Sequence, residues 1–329
     1  MPVLVERYNG GRNAGHTVEI KGQKFALHQI PCGVLHEKTY SLTGEQCLVD
    51  PVAIMQEIQK LREQGAKISP KNFGIASNAH VTLTHHIEAD RKNFEKDDHT
   101  STGSGILPTA VDKYGRTGVR FQEFLDTKNL ATLLENSFFI QHFVTEQIPA
   151  YEKAAEFLKD FSVLQSDVRK THGTHYHIGE GAQGFLLDID KGLAPGTTST
   201  SPTAIPFPTD TTLGVVKLYE SSIGSGRPFI GQIEPRDLET RLRNEFGEFG
   251  TTTTRPRNLG WLDIVALKHA IDSTNPQYLV GTCGDRLEIL SELKEPLKIV
   301  TGYKINGKTY DNWDKTFHHR NTLYEATPV

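Results

Sequence analysis

Helix-like and strand-like segments alternate along this chain. That alternation limits the fold more than any other feature, because it calls for a sheet covered by helices. The clearest helix runs from Pro51 to Gln64: Asp50 can cap it, proline suits its first position, and Gly65 suits its exit. Val52, Met55, Ile58 and Leu61 recur at every third position and give it one apolar stripe. A second helical stretch covers Phe138 to Phe161, interrupted near Pro149, and a third is expected to begin at Trp261 and stop at Asn275-Pro276. Strand-like runs are Tyr176–Ile178, Leu213–Tyr219, Gln277–Val280 and Leu297–Tyr303. The last precedes Asn306-Gly307, a strong signal for a two-residue hairpin turn. The class is therefore α/β with at least one antiparallel hairpin.

Four stretches rich in Gly, Thr and Ser lie between these elements: Gly10–Thr17, Thr100–Pro108, Gly192–Thr203 and Gly250–Arg257. Glycine allows close backbone approach and threonine adds hydroxyl donors, so such loops suit anions. The net charge of −4 gives no overall attraction to nucleic acid or an anionic membrane, so any anionic ligand needs a local cationic site. Cys32, Cys47 and Cys283 form no CxxC pair and suggest neither a zinc motif nor a disulfide framework. No apolar run reaches the ~18 residues of a membrane helix, and a cytoplasmic location is expected.

Three segments carry candidate chemistry. In Gly10-Gly11-Arg12-Asn13-Ala14-Gly15-His16-Thr17, a histidine beside glycines can face a ligand while nearby amides contact phosphate. In Gly181-Ala182-Gln183-Gly184, a tight turn could present the Gln183 amide to a purine oxygen. In the Thr251–Arg257 segment, Arg255 and Arg257 could grip a dicarboxylate if the loop curls, since guanidinium matches carboxylate as a fork. Each has a plain alternative as a solvated loop.

Together these segments resemble the adenylosuccinate synthetase family. So do Ser101-Thr102-Gly103-Ser104-Gly105-Ile106-Leu107-Pro108, Asp112-Lys113, Arg116-Thr117-Gly118-Val119-Arg120, Leu187-Asp188-Ile189-Asp190 and Gly260-Trp261-Leu262-Asp263, with matching spacing over nearly the whole chain. The resemblance implies a single P-loop-NTPase-like domain over residues 1–329, with a central mostly parallel sheet, surrounding helices and a small antiparallel hairpin subdomain. It implies a Mg²⁺-dependent ligase that uses GTP to phosphorylate the 6-oxygen of IMP and then lets L-aspartate displace the phosphate. By the same resemblance His16 assists phosphoryl transfer, the Gly15 carbonyl touches Mg²⁺, and Asn13 lies near the IMP phosphate. Thr102 and Thr198 contact nucleotide phosphate, and Arg116 reaches the IMP of a neighbouring subunit in a homodimer. Gln183 holds the 6-oxygen, Thr252, Thr253, Arg255 and Arg257 bind aspartate, and Asp285 recognises the guanine of GTP.

The sequence departs from the family pattern in several places. No segment resembles the family's Gly-Asp-Glu-Gly-Lys-Gly-Lys loop, which supplies a catalytic aspartate and a phosphate-binding lysine, and the family's final segment is not matched either. A chain short at both ends is the expectation, with a non-catalytic nucleotide-binding paralogue as the alternative to an active ligase. Ser104 stands where arginine is usual, Pro202 interrupts an Asn-Thr-Thr pattern, and Cys283 replaces a lysine two positions before Asp285. The last change leaves ATP open as donor. The short length resembles archaeal and viral members, some of which use dGMP in place of IMP.

Overall fold

Val3–Arg7 is the strand around which the protein is organised. It pairs in parallel with Thr39–Thr43 on one side and Tyr176–Glu180 on the other, aligning Arg7 with both Thr43 and Glu180. Flanked on both edges, it is buried almost throughout, as parallel strands covered on both faces are. Phe73–Ala76 and Ser162–Val163 extend the sheet in parallel beyond Thr39–Thr43, giving five strands. This computed structural model describes residues 3–96, 101–139, 145–194, 196–223, 230–250, 255–318 and 327–329.

The helix Pro51–Glu63 forms as expected, with Asp50 accepting a 2.9 Å hydrogen bond from the Ala53 amide. It buries Ile54, Met55, Ile58 and Leu61 in the main core, packing beside the helix Ile148–Leu158. Pro149 lies in the first turn of that second helix instead of interrupting it, where its missing N–H costs nothing.

A second cluster of buried side chains surrounds Tyr219, Phe246, Trp261 and Phe317. Here the expected start of a helix at Trp261 is corrected. Trp261 belongs to the strand Asn258–Asp263, which pairs antiparallel with Tyr219–Ser222 and parallel with Ile299–Val300. The helix begins at Ile264, where the Asp263 carboxylate accepts from the Ala266 amide at 3.0 Å. Leu213–Tyr219 also divides, because Leu213–Lys217 pairs in parallel with Tyr278–Thr282 while Tyr219 joins the other sheet. The run Leu297–Tyr303 likewise splits into Ile299–Val300 and Tyr303–Ile305. The Asn306-Gly307 turn joins Tyr303–Ile305 to Lys308–Tyr310, both residues at positive φ (50° and 79°), as this type of hairpin requires. Among the described residues no helix is long and apolar enough to cross a membrane.

Candidate functional site

Ligands of parallel α/β sheets bind beyond the carboxyl ends of the strands. Here that edge is formed by the residues after Arg7, Thr43 and Glu180, and it is held by buried charge. Glu6 is fully buried and takes a fork from Arg169 (2.9 and 2.6 Å) and a 2.9 Å contact from His177 Nε2. Burial alone would raise its pKa, but the hydrogen bonds from His177 and Arg169 hold it below the usual value. On the opposite side of the strand, buried Arg7 pairs with Glu180 at 3.0 Å.

Beyond these pairs the chain turns through Asn9-Gly10-Gly11. Asn9 clasps the Gln183 turn by three bonds: its amide nitrogen donates to Ala182 O (3.0 Å) and Gln183 Oε1 (3.2 Å), and its oxygen accepts from Ala182 N (2.9 Å). Gln183 itself has φ of +66°, so its presentation depends on a backbone shape that few residues adopt. Gly11 is required sterically, since a Cβ there would lie 2.2 Å from the Leu48 carbonyl oxygen. Asn13 Oδ1 accepts from the Gly11 amide at 3.1 Å, and Arg12 pairs with Asp50 at 2.5 Å.

His16 opens the hairpin His16–Ile20/Gln23–Leu27, so the expected loop Gly10–Thr17 ends in a strand. Its Nε2 lies 3.8 Å from Glu180 and has no hydrogen-bond partner. Burial lowers its pKa, assisted by Arg7 and opposed by Glu180, which favours neutral imidazole at neutral pH.

The Thr102 loop is shaped by Asp90, a buried residue on the helix Thr84–Lys96, which accepts from Ser101 Oγ and the Gly105 amide, both at 2.8 Å. Thr102 Oγ1 donates to Ser104 at 2.9 Å. The loop feeds the helix Ile106–Gly115, and Arg116 ends that helix in the left-handed conformation with its side chain exposed. Below it, Asp112 gathers His86 Nε2 (2.9 Å), the Phe138 amide (2.9 Å), Thr117 Oγ1 (3.2 Å) and Ser137 Oγ. His86 Nδ1 accepts the Leu83 amide, so its Nε2 carries the proton given to Asp112.

A cavity of about 320 Å³ lies next to these pieces, lined by Asn9, Gln46, Leu48, Lys113, Ser199 and Thr200, among others; none of the site residues expected from the sequence is itself in the lining. Of the four small-residue stretches, Gly192–Thr203 lines this space directly and Thr100–Pro108 reaches it through the helix it begins, while Asn9, just before the Gly10–Thr17 stretch, marks its third side. Thr200 Oγ1 is buried there without a partner, and the Thr198 backbone N–H donates to Leu187 O at 2.7 Å.

The fourth stretch sits elsewhere. Gly250 N donates to Arg255 O at 2.9 Å and Arg257 N to Glu248 O at 3.0 Å. Arg257 contacts the buried Glu248 at 3.5 Å, beside Lys217 (2.7 Å), Arg286 (3.0 Å) and Tyr219 Oη (2.6 Å). Thr252 and Thr253 lie outside the described residues. Asp285 is exposed at the start of a short 3₁₀ turn. Sequence reasoning missed Glu6, Asp90, Glu248 and the His86–Asp112 pair; the adjacent His85-His86 was a visible signal for the last.

The model of the family described as Adenylosuccinate synthetase matches residues 3–329. The chain belongs to this family. Curated relatives named adenylosuccinate synthetase include one from Halothermothrix orenii, 35% identical over 94% of this chain and 77% of its own length. One from Aquifex aeolicus is 33% identical over 99% of this chain and 78% of its own. The fully ligated adenylosuccinate synthetase structure from Plasmodium falciparum superposes with a TM-score of 0.85 at 26% identity, covering 99% of this chain and 81% of that one. The cyanophage S-2L succinoaminodeoxyadenylate synthetase, bound to dGMP and dATP, shares the fold at TM-score 0.56 and 17% identity, over 97% and 90% of the two chains. Fold and family together make this a ligase type of purine biosynthesis, built on the parallel sheet expected from the sequence.

Proposed function

We propose that the chain condenses L-aspartate with IMP, or with a related purine monophosphate such as dGMP, through a 6-phosphoryl intermediate driven by GTP or ATP. The observation that carries this reading is the shared cavity at the strand ends, bordered by Asn9, Lys113 and the Ser199–Thr200 segment. An oxo group leaves carbon poorly and phosphate leaves well, so the protein's task is to position reactants and neutralise charge.

In this reading Asn13, Thr102 and Thr198 contact the monophosphate, and Gln183 hydrogen-bonds the purine 6-oxygen. His16, neutral through burial, offers an N–H to the transferring phosphoryl oxygens while its unpartnered Nε2 has no competing bond to break. Aspartate is held by Thr252, Thr253, Arg255 and Arg257, and its amine then attacks carbon 6 with loss of phosphate. Asp285, exposed, recognises the donor base. The neighbouring Cys283 stands where the family's lysine is usual, which keeps ATP beside GTP as donor.

Magnesium fits the His16 loop only in a limited way. By the family resemblance the Gly15 carbonyl is the loop oxygen that would meet the ion, while the nearby Asn13 side-chain oxygen accepts from the Gly11 amide. That suits Mg²⁺, which keeps water and substrate phosphates as most of its ligands. When bound it would neutralise charge on the triphosphate oxygens.

A homodimer is supported by the helix Ile106–Gly115, whose Leu107, Val111 and Tyr114 are 53%, 40% and 73% exposed on one face. Arg116, at the end of that face, would reach the monophosphate of the partner. The expected place of action is the cytoplasm.

The test is incubation with IMP or dGMP, aspartate, Mg²⁺, and GTP or ATP, following purine absorbance. Turnover with one acceptor and one donor fixes both. Silence in all four combinations rejects ligase activity; tight IMP binding with that silence would make the chain a non-catalytic nucleotide-binding paralogue.

A further inference from the structure

Two clusters of metal-ligating side chains occur among the described residues: His85 with His86 and Asp112, and His16 with Cys32 and Glu180. Their chemistry differs. In the first, His86 and Asp112 are almost wholly buried, His86 uses both ring nitrogens, and the His85 ring bonds Ser137. A cation would have to break several satisfied bonds to enter. In the second, Cys32 is exposed and His16 Nε2 makes no hydrogen bond.

We propose that His16, Cys32 and Glu180 form a site for a soft divalent cation of the Zn²⁺ or Cd²⁺ type, whose occupation takes the His16 imidazole out of service. The donor set is one nitrogen, one sulfur and one carboxylate oxygen, the mixture that zinc favours, with the fourth position left to water. The three ligand atoms lie within 4.8 Å of one another, and His16 Nε2 is 3.8 Å from Glu180. Tetrahedral bonds of about 2.0–2.3 Å place ligands roughly 3.3–3.8 Å apart, so no gap needs to close by more than about 1 Å. Rotation of the Cys32 side chain would supply that movement.

One backbone amide and one guanidinium hold the carboxylate in place without consuming it. Glu180 Oε2 accepts the Cys32 amide at 2.8 Å, and Oε1 accepts from Arg7 at 3.0 Å, which leaves each oxygen a further lone pair. Arg7 adds a positive charge that opposes a second cation but also eases loss of the Cys32 proton, so the thiolate formed on binding is the charge that offsets the ion. Local burial, then Glu180, push the Cys32 thiol up to about 12, so it is protonated in the free protein. On binding, the S–H bond breaks, the sulfur–metal bond forms and the proton leaves to solvent. Magnesium, which takes oxygen ligands in octahedral geometry, does not compete for nitrogen and sulfur.

The site stands independently of the proposed ligase activity; only the inhibitory consequence rests on that reading. The experiment is titration of the full chain with Cd²⁺, following ultraviolet thiolate-to-metal absorption and calorimetric heat. One tight ion per chain with a thiolate band is expected, displaced by Zn²⁺ and not by millimolar Mg²⁺. Cys32→Ser should abolish the band, His16→Ala should weaken binding by about tenfold or more, and Cys283→Ser should change neither. A band that survives Cys32→Ser, or unchanged affinity in His16→Ala, overturns the site. If catalysis is present, Zn²⁺ should inhibit it reversibly and Cys32→Ser should resist. Metal binding in a chain without turnover supports the site while removing the ligase reading, and metal binding without inhibition of an active chain removes the proposed consequence.

Discussion

Replacing Asp112 by asparagine exchanges one carboxylate oxygen for an NH₂ group and leaves the shape nearly unchanged. Asp112 is 1% exposed, and its two oxygens accept from His86, Ser137, Phe138 and Thr117. An amide can accept on one side only; the Ser137 and Thr117 hydroxyls can turn to accept from the new NH₂, so one rigid buried donor, His86 Nε2–H or the Phe138 amide, would face another donor. At about 1–3 kcal/mol for an unsatisfied buried group, Asp112→Asn should cost on the order of 1–3 kcal/mol. A second signature comes from acid. Burial alone would raise the Asp112 pKa, but the bonds from His86, Ser137 and Phe138 lower it from 3.8 to about 2. A carboxyl depressed on folding stabilises the native state above its unfolded value and loses that contribution as pH falls through its folded one. The wild-type chain should therefore lose roughly 2 kcal/mol from this group, spread between about pH 5 and pH 1, and the variant should not. Urea unfolding at pH 7 and across the acid range measures both effects. A loss below about 1 kcal/mol at pH 7, or an unchanged acid slope in the variant, would refute the reasoning.

Three further outcomes are expected. In the active enzyme, His16→Asn should abolish phosphoryl transfer and spare nucleotide binding, as measured by isotope exchange beside calorimetry; retained turnover contradicts its role. Arg255→Leu should raise the aspartate KM about tenfold or more, since a charge-assisted bond is worth ~1.5–3 kcal/mol, while the KM for the purine nucleotide stays put. Glu248→Gln should loosen Lys217, Arg257 and Arg286 together, raising the aspartate KM more than it lowers kcat; an equal fall in all parameters would indicate unfolding instead.

What the sequence made legible was local. Asp50, Pro51 and Gly65 are neighbours of the helix they delimit, and Asn306-Gly307 encodes its own turn, so both were visible without tertiary knowledge. Trp261 was misleading because its apolar spacing suits a helix, while pairing with Tyr219–Ser222 and Ile299–Val300 decides its state. His16 and Gln183 stood out through the glycines around them. Glu6 and Arg7 did not, since their partners Arg169 and Glu180 lie 163 and 173 residues away. Asp90 and Glu248 were equally silent, because a carboxylate that shapes a distant loop carries no mark distinguishing it from a solvated one.

The adjacent charges on Val3–Arg7 point to opposite faces of the sheet, and each meets a partner only in the observed alignment. Sliding this strand by a single position would exchange its two faces, bringing a carboxylate where a guanidinium had its counterion. Either stranded ion would be costly in the interior. Glu6 and Arg7 thus act as a two-letter lock on strand alignment: misaligned pairings are rejected by electrostatics, even where the surrounding Val and Leu side chains would tolerate them.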